Sequence, residues 1–505
     1  MAAERKRIVV LVHGWSVHNT RTYGKLPERL EARARHENGL DLDVRQIWLS
    51  QYVSFRDEVR LEDVSRAFDA AVRRQLGPLL DQGRRFVCIT HSTGGPVVRD
   101  WWDRYYGQRP RSGPCPMSHL IMLAPANFGS ALAQLGKSRI GRLKSWFEGM
   151  EPGARILDWL ELGSPEAWAL NARWFDYPQT PSGRSAVFPF VLAGQSIDHA
   201  LYDPVNSYTG EPGSDGVVRA AAANLNATHV RLEQEQPVMT RDGPRPDYQA
   251  NALRVRRVRR GPTTAFALIE GRSHSGRTMG IMRSIGSGTK PDAAVDAILA
   301  CLRVGTPAQY RALCDDFARL TADVQRRERL EKDVGVLLPG RYFIHDPYSM
   351  VIFRIQDDAG HPVADFDLAL TAGPGNNPNH LPKGFFQDRQ KNSRHPGTLT
   401  YFLNHAVMTG AEPVVDDQGT VYREALQGAP SLGFRISPFI NEDLVHYLPA
   451  GLAATARRLA QFLNPHETTM VDITLRRLVR ERVFRLTTDR KPRDFRKGPA
   501  GPAVP

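Results

Sequence analysis

The sequence has few cysteines and no long apolar run. Its four cysteines, Cys88, Cys115, Cys301 and Cys314, lie far apart and form no C-x-x-C pair, which excludes a zinc knuckle, a thioredoxin-type site and a disulfide scaffold. No stretch approaches the roughly 20 apolar residues of a membrane-spanning helix. The N-terminus has only the short apolar run 8–12, whereas a secretory signal needs about 7 to 15 such residues. We expect a chain that is soluble and cytoplasmic as synthesised, and export without a signal peptide would leave no trace in the sequence.

The composition is that of an ordinary globular protein with a basic surplus. The 505 residues include 67 Lys and Arg against 54 Asp and Glu, a net charge of +13, and 41% of them are hydrophobic. This length predicts two or more domains. The surplus favours an anionic partner such as a phospholipid surface. Nucleic acid is the weaker candidate as a partner because no RNA- or DNA-binding signature accompanies the charge. Basic residues cluster at 254–260 and 476–497, and each cluster also fits a solvated face or a strand edge.

Residues 8–304 alternate short apolar runs with longer amphipathic stretches. This alternation predicts an α/β domain with a mainly parallel sheet. The two clearest helices are expected at 62–76 and 291–304, where apolar residues recur at helical spacing. The strands are expected at 8–12, 42–48, 85–90, 119–124, 188–193 and 264–269.

The pattern changes after residue 305. Residues 306–332 read as charged helix, and strand-like runs separated by turn residues follow at 341–345, 350–356, 364–370, 398–403, 432–436, 469–475 and 482–487. All eight tryptophans precede this joint. We therefore predict a catalytic domain at 1–304, a helical connector at 305–335, an antiparallel β-sandwich-like domain at 336–490 and a flexible tail at 491–505.

The segment 85–99 carries the clearest chemical signal. An apolar strand runs into Thr90-His91-Ser92-Thr93-Gly94-Gly95, and a helix-like run follows. A nucleophilic serine on a sharp strand-to-helix turn needs small neighbours, because the backbone there is strained and crosses close to the next strand. Gly94 meets this need downstream, whereas Thr90 stands where the G-x-S-x-G pattern has glycine. The segment predicts Ser92 as a nucleophile.

With this strand-to-helix turn at Ser92, the chain resembles the α/β-hydrolase superfamily, in its lipase and esterase branch. A second motif agrees, because the first strand ends in His13-Gly14-Trp15, 79 residues before Ser92. The resemblance implies an oxyanion hole built from two backbone amides. One would belong to Trp15, with Ser16 as the alternative, and the other to Thr93, directly after the nucleophile.

The same resemblance implies the chain order serine, acid, histidine. Asp215, in Gly213-Ser-Asp-Gly-Val-Val218, follows the expected strand at 188–193 and is similar to the acid-bearing segment of many lipases. Asp198 and Asp203 lie nearer the end of that strand and stay open as alternatives. The acid is therefore expected at Asp215.

The histidine is expected in a loop between the last strand and the final helix of the α/β domain. His274 lies in such a loop, at 270–276. His229 is the alternative, although the alternating pattern at 227–232 suggests that it lies on a strand. Both histidines remain candidates at this stage, with His274 preferred.

Residues 129–185 form an insert between two expected strands. The insert is predicted to be helix-rich and includes aromatic residues such as Trp146, Trp159, Trp168 and Trp174. These side chains either pack on the core or form a cap that binds an acyl chain or faces a membrane.

Taken together, the residues predict a serine carboxyl-ester hydrolase that acts on lipids, a lipase or phospholipase, by acyl-enzyme formation on Ser92. No metal and no organic cofactor is required. Two alternatives remain: an esterase of small soluble esters, and a protein whose C-terminal domain binds a membrane or a partner as its main function. The layout also resembles antibacterial lipase effectors of type VI secretion, which implies a secretion or immunity protein as a partner.

Overall fold

The computed structural model describes most of the chain. The described residues are 6–13, 23–49, 56–107, 113–134, 153–183, 185–197, 211–236, 239–240, 243–244, 252–288, 290–333, 341–439 and 445–479. The strands are β1 (Arg7–His13), β2 (Leu42–Trp48), β3 (Phe86–His91), β4 (Met117–Leu123), β5 (Phe188–Ala193), β6 (Ala227–Gln234), β7 (Met239–Thr240), β8 (Gly243–Pro244), β9 (Leu253–Arg260), β10 (Ala265–Leu268), β11 (Leu330–Asp333), β12 (Arg341–Ile344), β13 (Tyr348–Asp357), β14 (Phe366–Ala372), β15 (Phe386–Lys391), β16 (Thr398–Asn404), β17 (Val414–Val415), β18 (Val421–Arg423), β19 (Ser431–Pro438), β20 (Val445–His446), β21 (Ala450–Thr455), β22 (Thr468–Leu475) and β23 (Leu478–Val479). The helices are α1 (Leu26–Asn38), α2 (Leu61–Leu80), α3 (Gly94–Tyr106), α4 (Ala154–Leu160), α5 (Pro165–Trp174), α6 (Ala220–Ala223), α7 (Ala293–Arg303), α8 (Pro307–Arg327), α9 (His405–Thr409) and α10 (Ala456–Leu459).

The first sheet is parallel throughout, in the order β10-β5-β4-β3-β1-β2. Its interior strands β3 and β5 are buried along their whole length because helices cover both faces. The six expected strands of the α/β domain are all present, and the fold class is confirmed. A parallel sheet collects the carboxyl ends of its strands at one edge, which is where such folds place their sites.

The second sheet is mixed and draws strands from both halves of the chain, in the order β15-β16-β13-β22-β6-β9. β22 pairs in parallel with both β13 and β6, whereas the other pairings of this sheet are antiparallel. Two of its strands, β6 and β9, precede residue 304. The predicted domain boundary at 304 stays a prediction, but the second sheet is built across it.

The two faces of the second sheet belong to different cores. Met350 and Ile352 of β13 join the core that contains helices α2 and α3 and the insert. The intervening residues Val351 and Phe353 join a separate core against the three-stranded antiparallel sheet β14-β19-β21. Because side chains alternate along a strand, the second sheet connects the α/β domain to a C-terminal sandwich.

Within the insert, the described segment 153–183 contains α4 and α5. Trp159, Trp168 and Trp174 are buried there, and Trp168 packs edge-on against His229 of β6. These aromatic side chains therefore fill the core between the two sheets. The remaining expected cap residues at 135–152 lie outside the described residues, as does the predicted tail at 491–505.

Among the described residues, we find no helix with both the length and the apolar character needed to cross a membrane.

Candidate active site

Ser92 lies on the tight turn between β3 and α3. Its φ of +53° places it in the left-handed region, which residues other than glycine rarely adopt. The Ser92 amide donates a hydrogen bond to the carbonyl oxygen of Leu123 on β4, at 3.0 Å. The turn thus holds a partly exposed hydroxyl at the carboxyl edge of the first sheet, as the sequence predicts.

The need for small residues at this turn is greatest at Gly95. A Cβ on Gly95 would lie 2.7 Å from the Cβ of Pro125, closer than packing allows, whereas a Cβ on Gly94 would lie 3.4 Å from the Cβ of Thr90. Gly95 therefore lets the start of α3 pass the loop that follows β4.

Ser92, His274 and Asp215 form a continuous hydrogen-bonded chain. His274 Nε2 is 3.0 Å from Ser92 Oγ, and His274 Nδ1 is 3.0 Å from Asp215 Oδ2. Asp215 and His274 are both buried, whereas Ser92 is partly exposed. The structure therefore brings together the three residues that the sequence predicts in this order.

Asp215 is held by its own loop. The backbone amides of Val217 and Val218 donate to Asp215 Oδ1 at 3.0 and 2.8 Å, which leaves Oδ2 to His274. The amide of His274 also donates to the Asp215 carbonyl oxygen, at 2.9 Å. Each carboxylate oxygen thus has a fixed task, and the imidazole orientation follows from it.

His91 supports His274 from the other side. Its Nε2 lies 3.0 Å from the carbonyl oxygen of His274, and the two rings lie 4.8 Å apart. His91, directly before the nucleophile, therefore contacts the loop that carries His274.

The expected oxyanion amides are described only in part. Thr93 is buried directly before α3, and its amide has no hydrogen-bond acceptor within the part of the chain that the structure describes. Trp15 and its alternative Ser16 lie outside the described residues, although β1 leads to that segment.

The alternatives for the histidine and the acid either lie in a different part of the fold or fall outside the described residues. His229 lies on β6 with its Nε2 2.8 Å from Asp472 Oδ2, and Arg354 Nε donates to the other oxygen of Asp472 at 2.6 Å. This trio lies within the second sheet, on β6, β13 and β22. Asp198 and Asp203 lie outside the described residues.

Two charged residues near the site carry no signal in the local sequence. Arg219, only 2% exposed, donates to Glu211 at 2.7 and 2.8 Å and to Asp388 of β15, and its guanidinium lies 4.2 Å from the ring centre of Phe402. Burial alone would lower the pKa of Arg219, but the two carboxylates outweigh burial and raise it. The loop of Asp215 is therefore fixed by a charge on the second sheet.

Glu328, directly after α8, is the second charged residue near the site that carries no signal in the local sequence. It accepts from the amide of Gly271 at 2.6 Å and from Gln195 Nε2 at 2.8 Å. The connector helix thereby contacts the loop after β5 and the loop that carries His274.

The thiols do not resemble nucleophiles. Burial raises the pKa of Cys88 and Cys301 well above the ordinary value, which keeps both thiols protonated. No group of three or more His, Cys, Asp or Glu side chains that could hold a metal ion occurs among the described residues.

Comparison with solved structures identifies the family. Phospholipase PlaB from Legionella pneumophila is 42% identical over 97% of both chains, with a TM-score of 0.83. The same enzyme in complex with thio-NAD is 41% identical over 97% of this chain and 98% of that one, with a TM-score of 0.81. The chain belongs to the PlaB phospholipase family. No family model and no curated protein matches it.

Membership in the PlaB family places the chain in the lipase and esterase branch of the α/β-hydrolases. Its first sheet, its helices and its additional C-terminal sheets agree with that fold. The chain is therefore a serine ester hydrolase of the lipase and phospholipase type, and the function class that the sequence predicts is confirmed.

Proposed function

We propose that the protein hydrolyses the acyl ester of phospholipids, with Ser92 as nucleophile, His274 as general base and Asp215 as the acid that orients it. The observation that carries this proposal is the hydrogen-bonded chain Ser92–His274–Asp215. Membership in a phospholipase family supports the choice of lipid over a small ester.

The first half-reaction forms the acyl-enzyme. Ser92 Oγ bonds to the ester carbonyl carbon while His274 Nε2 accepts the hydroxyl proton. Asp215 Oδ2 holds Nδ1–H and stabilises the imidazolium that results. The intermediate collapses when the ester C–O bond breaks, and His274 returns the proton to the departing lysophospholipid oxygen.

The negative charge on the carbonyl oxygen needs donors during this step. We assign one to the amide of Thr93, directly before α3, and the other to the amide of Trp15. Loss of one such donor typically lowers the rate about 10²- to 10³-fold.

The second half-reaction releases the fatty acid. A water gives a proton to His274 Nε2 as its oxygen adds to the acyl carbon, the bond from that carbon to Ser92 Oγ breaks, and Ser92 regains the proton from His274. The products are a lysophospholipid and a free fatty acid, and both Ser92 and His274 return to their starting states.

The net charge of +13 supports attraction to an anionic lipid surface. The basic cluster at 254–260 adds little to this attraction, because it is the edge strand β9 and most of its arginines are neutralised. The ion pairs are Arg254–Glu235, Arg256–Glu233, Arg259–Asp176 and Arg260–Glu467. Export without a signal peptide, and a secretion or immunity partner, stay predictions from the sequence.

The test uses the full-length protein with mixed phospholipid vesicles and, separately, a neutral-lipid emulsion, with mass spectrometry of the products. We expect fatty acid and lysophospholipid from the vesicles, and neither product from Ser92→Ala. A Ser92-dependent cleavage of short-chain esters with untouched vesicles would contradict the lipid substrate and favour a soluble ester.

A further inference from the structure

A cavity of about 570 Å³ lies inside the C-terminal sandwich. Val230, Val351, Phe353 and Val471 of the second sheet form one wall, and Leu432 and Phe434 of β19 form the opposite wall. All of these side chains are buried and apolar. The cavity therefore lies between two sheets, is open to solvent on one side and has mostly apolar walls.

An apolar pocket of this size between two packed sheets is unusual in a folded domain. Protein interiors normally pack to the density of organic crystals, with few voids larger than a water molecule. The volume instead falls within the roughly 300 to 1,000 Å³ typical of ligand pockets. Apolar walls offer no hydrogen bonds, so a polar ligand would lose its hydration without compensation.

One end of the cavity is bordered by charge. Helix α10 and the residues after it, which include Arg458, Gln461 and Phe462, border the cavity beside β21. Arg458 is exposed, and its guanidinium has no ion-pair partner among the described residues. Arg254 also borders the cavity but is paired with Glu235. Arg458 is thus a cation at the rim that is available to a ligand.

We propose that this cavity binds one long-chain fatty acid, with the acyl chain between the sheets and the carboxylate at Arg458. At about 30 Å³ for each group of methylene size, the share of a water molecule in the liquid, the cavity accommodates one chain of about 16 to 18 carbons. The two acyl chains of an intact phospholipid would need about twice this volume. A single chain that ends in an anion matches both the apolar walls and the guanidinium of Arg458.

This site is separate from Ser92. Val230 and Leu232 face the cavity from β6, whereas His229, next to Val230 on the same strand, faces Trp168 on the opposite side of the sheet. The second sheet therefore lies between the cavity and the core of the α/β domain. Fatty-acid binding here does not depend on the proposed phospholipase reaction, although that reaction would release the same class of ligand.

The test measures palmitate binding by equilibrium dialysis of the radiolabelled fatty acid, kept below its aggregation concentration. It uses the full-length Ser92→Ala protein, which cannot hydrolyse substrate. We expect one palmitate per chain. Ala454→Trp fills the cavity, because Ala454 pairs with Leu432 and shares its inward face. It should weaken binding at least about tenfold. Arg458→Ala should weaken it about fivefold, the size of an exposed ion pair.

Arg457→Ala is the matched control, because Arg457 is an exposed neighbour on the same helix that does not border the cavity. It should bind palmitate as the parent protein does, and thermal unfolding should show that all variants fold. No binding to the parent protein, or equal loss in Arg457→Ala and Arg458→Ala, would overturn the proposal. Equal affinity for palmitate and lysophosphatidylcholine would overturn the role of the carboxylate. If Ala454→Trp fails to fold, Arg458→Glu decides, and unchanged binding there is contrary to the proposal.

Discussion

The geometry at Ser92 depends on a residue that does no chemistry. Ser92 holds a strained left-handed φ of +53°, and Gly95 lets α3 begin where a Cβ would lie 2.7 Å from the Cβ of Pro125. We predict that Gly95→Ala lowers the free energy of unfolding by about 1 to 3 kcal/mol, because the added methyl overpacks the turn. Thermal unfolding should show a lower melting temperature, and the rate of short-chain ester hydrolysis should fall with it.

Gly77→Ala is the control for this prediction. Gly77 lies in α2, and a Cβ added there would have nothing within 4 Å of it. Alanine at this position should raise stability by about 0.4 to 1 kcal/mol, since it restricts the unfolded chain. Equal melting temperatures for Gly95→Ala and the wild type would show that the turn relaxes without strain.

Asp215 has two tasks that a single substitution can separate. Its Oδ1 accepts from Val217 and Val218, and its Oδ2 accepts from His274 Nδ1. Asp215→Asn can keep the loop contacts but loses the charge that orients the imidazole. We predict a fall in kcat of about 10³- to 10⁴-fold with KM nearly unchanged. Steady-state kinetics on a soluble ester checks this, and a change confined to KM would argue against the assigned role.

The sequence predicts the site best where the chemistry is local. Short motifs and their order along the chain identify Ser92 and His274, and the structure places the two within hydrogen-bond distance. Arg219 and Glu328 cannot be found in this way. The partner Asp388 of Arg219 is 169 residues away, and no period or motif in one sequence specifies such a contact.

At the scale of elements, the loop that carries Asp215 is held between two sheets. Arg219, at the end of that loop, pairs with both Glu211 and Asp388 and stacks on Phe402 of β16. We predict that Arg219→Met destabilises the protein by about 3 kcal/mol, because two partly buried carboxylates lose the buried cation that they share. The rate of ester hydrolysis should fall as the loop loosens.

Arg256→Met is the matched control for Arg219→Met. Arg256, on the exposed edge strand β9, pairs with Glu233 of β6. Its loss should change stability by no more than about 0.5 kcal/mol. Similar effects of the two substitutions on the melting temperature would refute the prediction that Arg219 contributes more to stability than an exposed ion pair.

β4 carries a buried histidine that makes stability depend on pH. Burial lowers the pKa of His119 to about 4, against an ordinary value of 6.5, although its Nε2 lies 2.7 Å from the carbonyl oxygen of Val304. The folded state thus binds its proton less readily than the unfolded state. The contribution of His119 leaves stability unchanged above about pH 6.5 and lowers it as the pH drops from 6.5 towards 4.

His119→Gln should reduce this loss of stability at low pH. A pKa lowered to about 4 corresponds to about 3 kcal/mol between pH 6.5 and 4. We expect melting temperatures of the variant and the wild type to converge as the pH falls, with part of the loss retained because burial also lowers the pKa of His466 to about 4. Parallel curves for the two proteins would show that His119 has no part in the acid sensitivity.

At the scale of the whole molecule, the sequence predicts elements better than their partners. The runs at 227–232 and 469–475 have the alternating character of strands, and both are strands, β6 and β22. Their parallel pairing joins segments about 240 residues apart. Alternation along a strand fixes which residues share a face but not which strand lies beside it.

This pairing changes what removal of the C-terminal part would do. A chain cut near residue 335 would lose β13, β16 and β22, so β6 would keep only β9 as a neighbour. The core of the α/β domain would lose Met350, Phe402 and Met470. Unpaired strand edges and exposed apolar side chains favour aggregation. We therefore predict that the fragment 1–335 is insoluble or unfolded.

The measurement is expression of the fragment 1–335 beside the full-length protein, followed by far-ultraviolet circular dichroism and short-chain ester hydrolysis. A soluble fragment whose activity disappears with Ser92→Ala would contradict the prediction and show that the α/β domain folds alone. The expected failure would instead mean that the C-terminal sheets are part of the catalytic fold, since they contribute Asp388 to the contacts around Asp215. Any targeting role of those sheets must then be tested by surface substitutions within the intact chain.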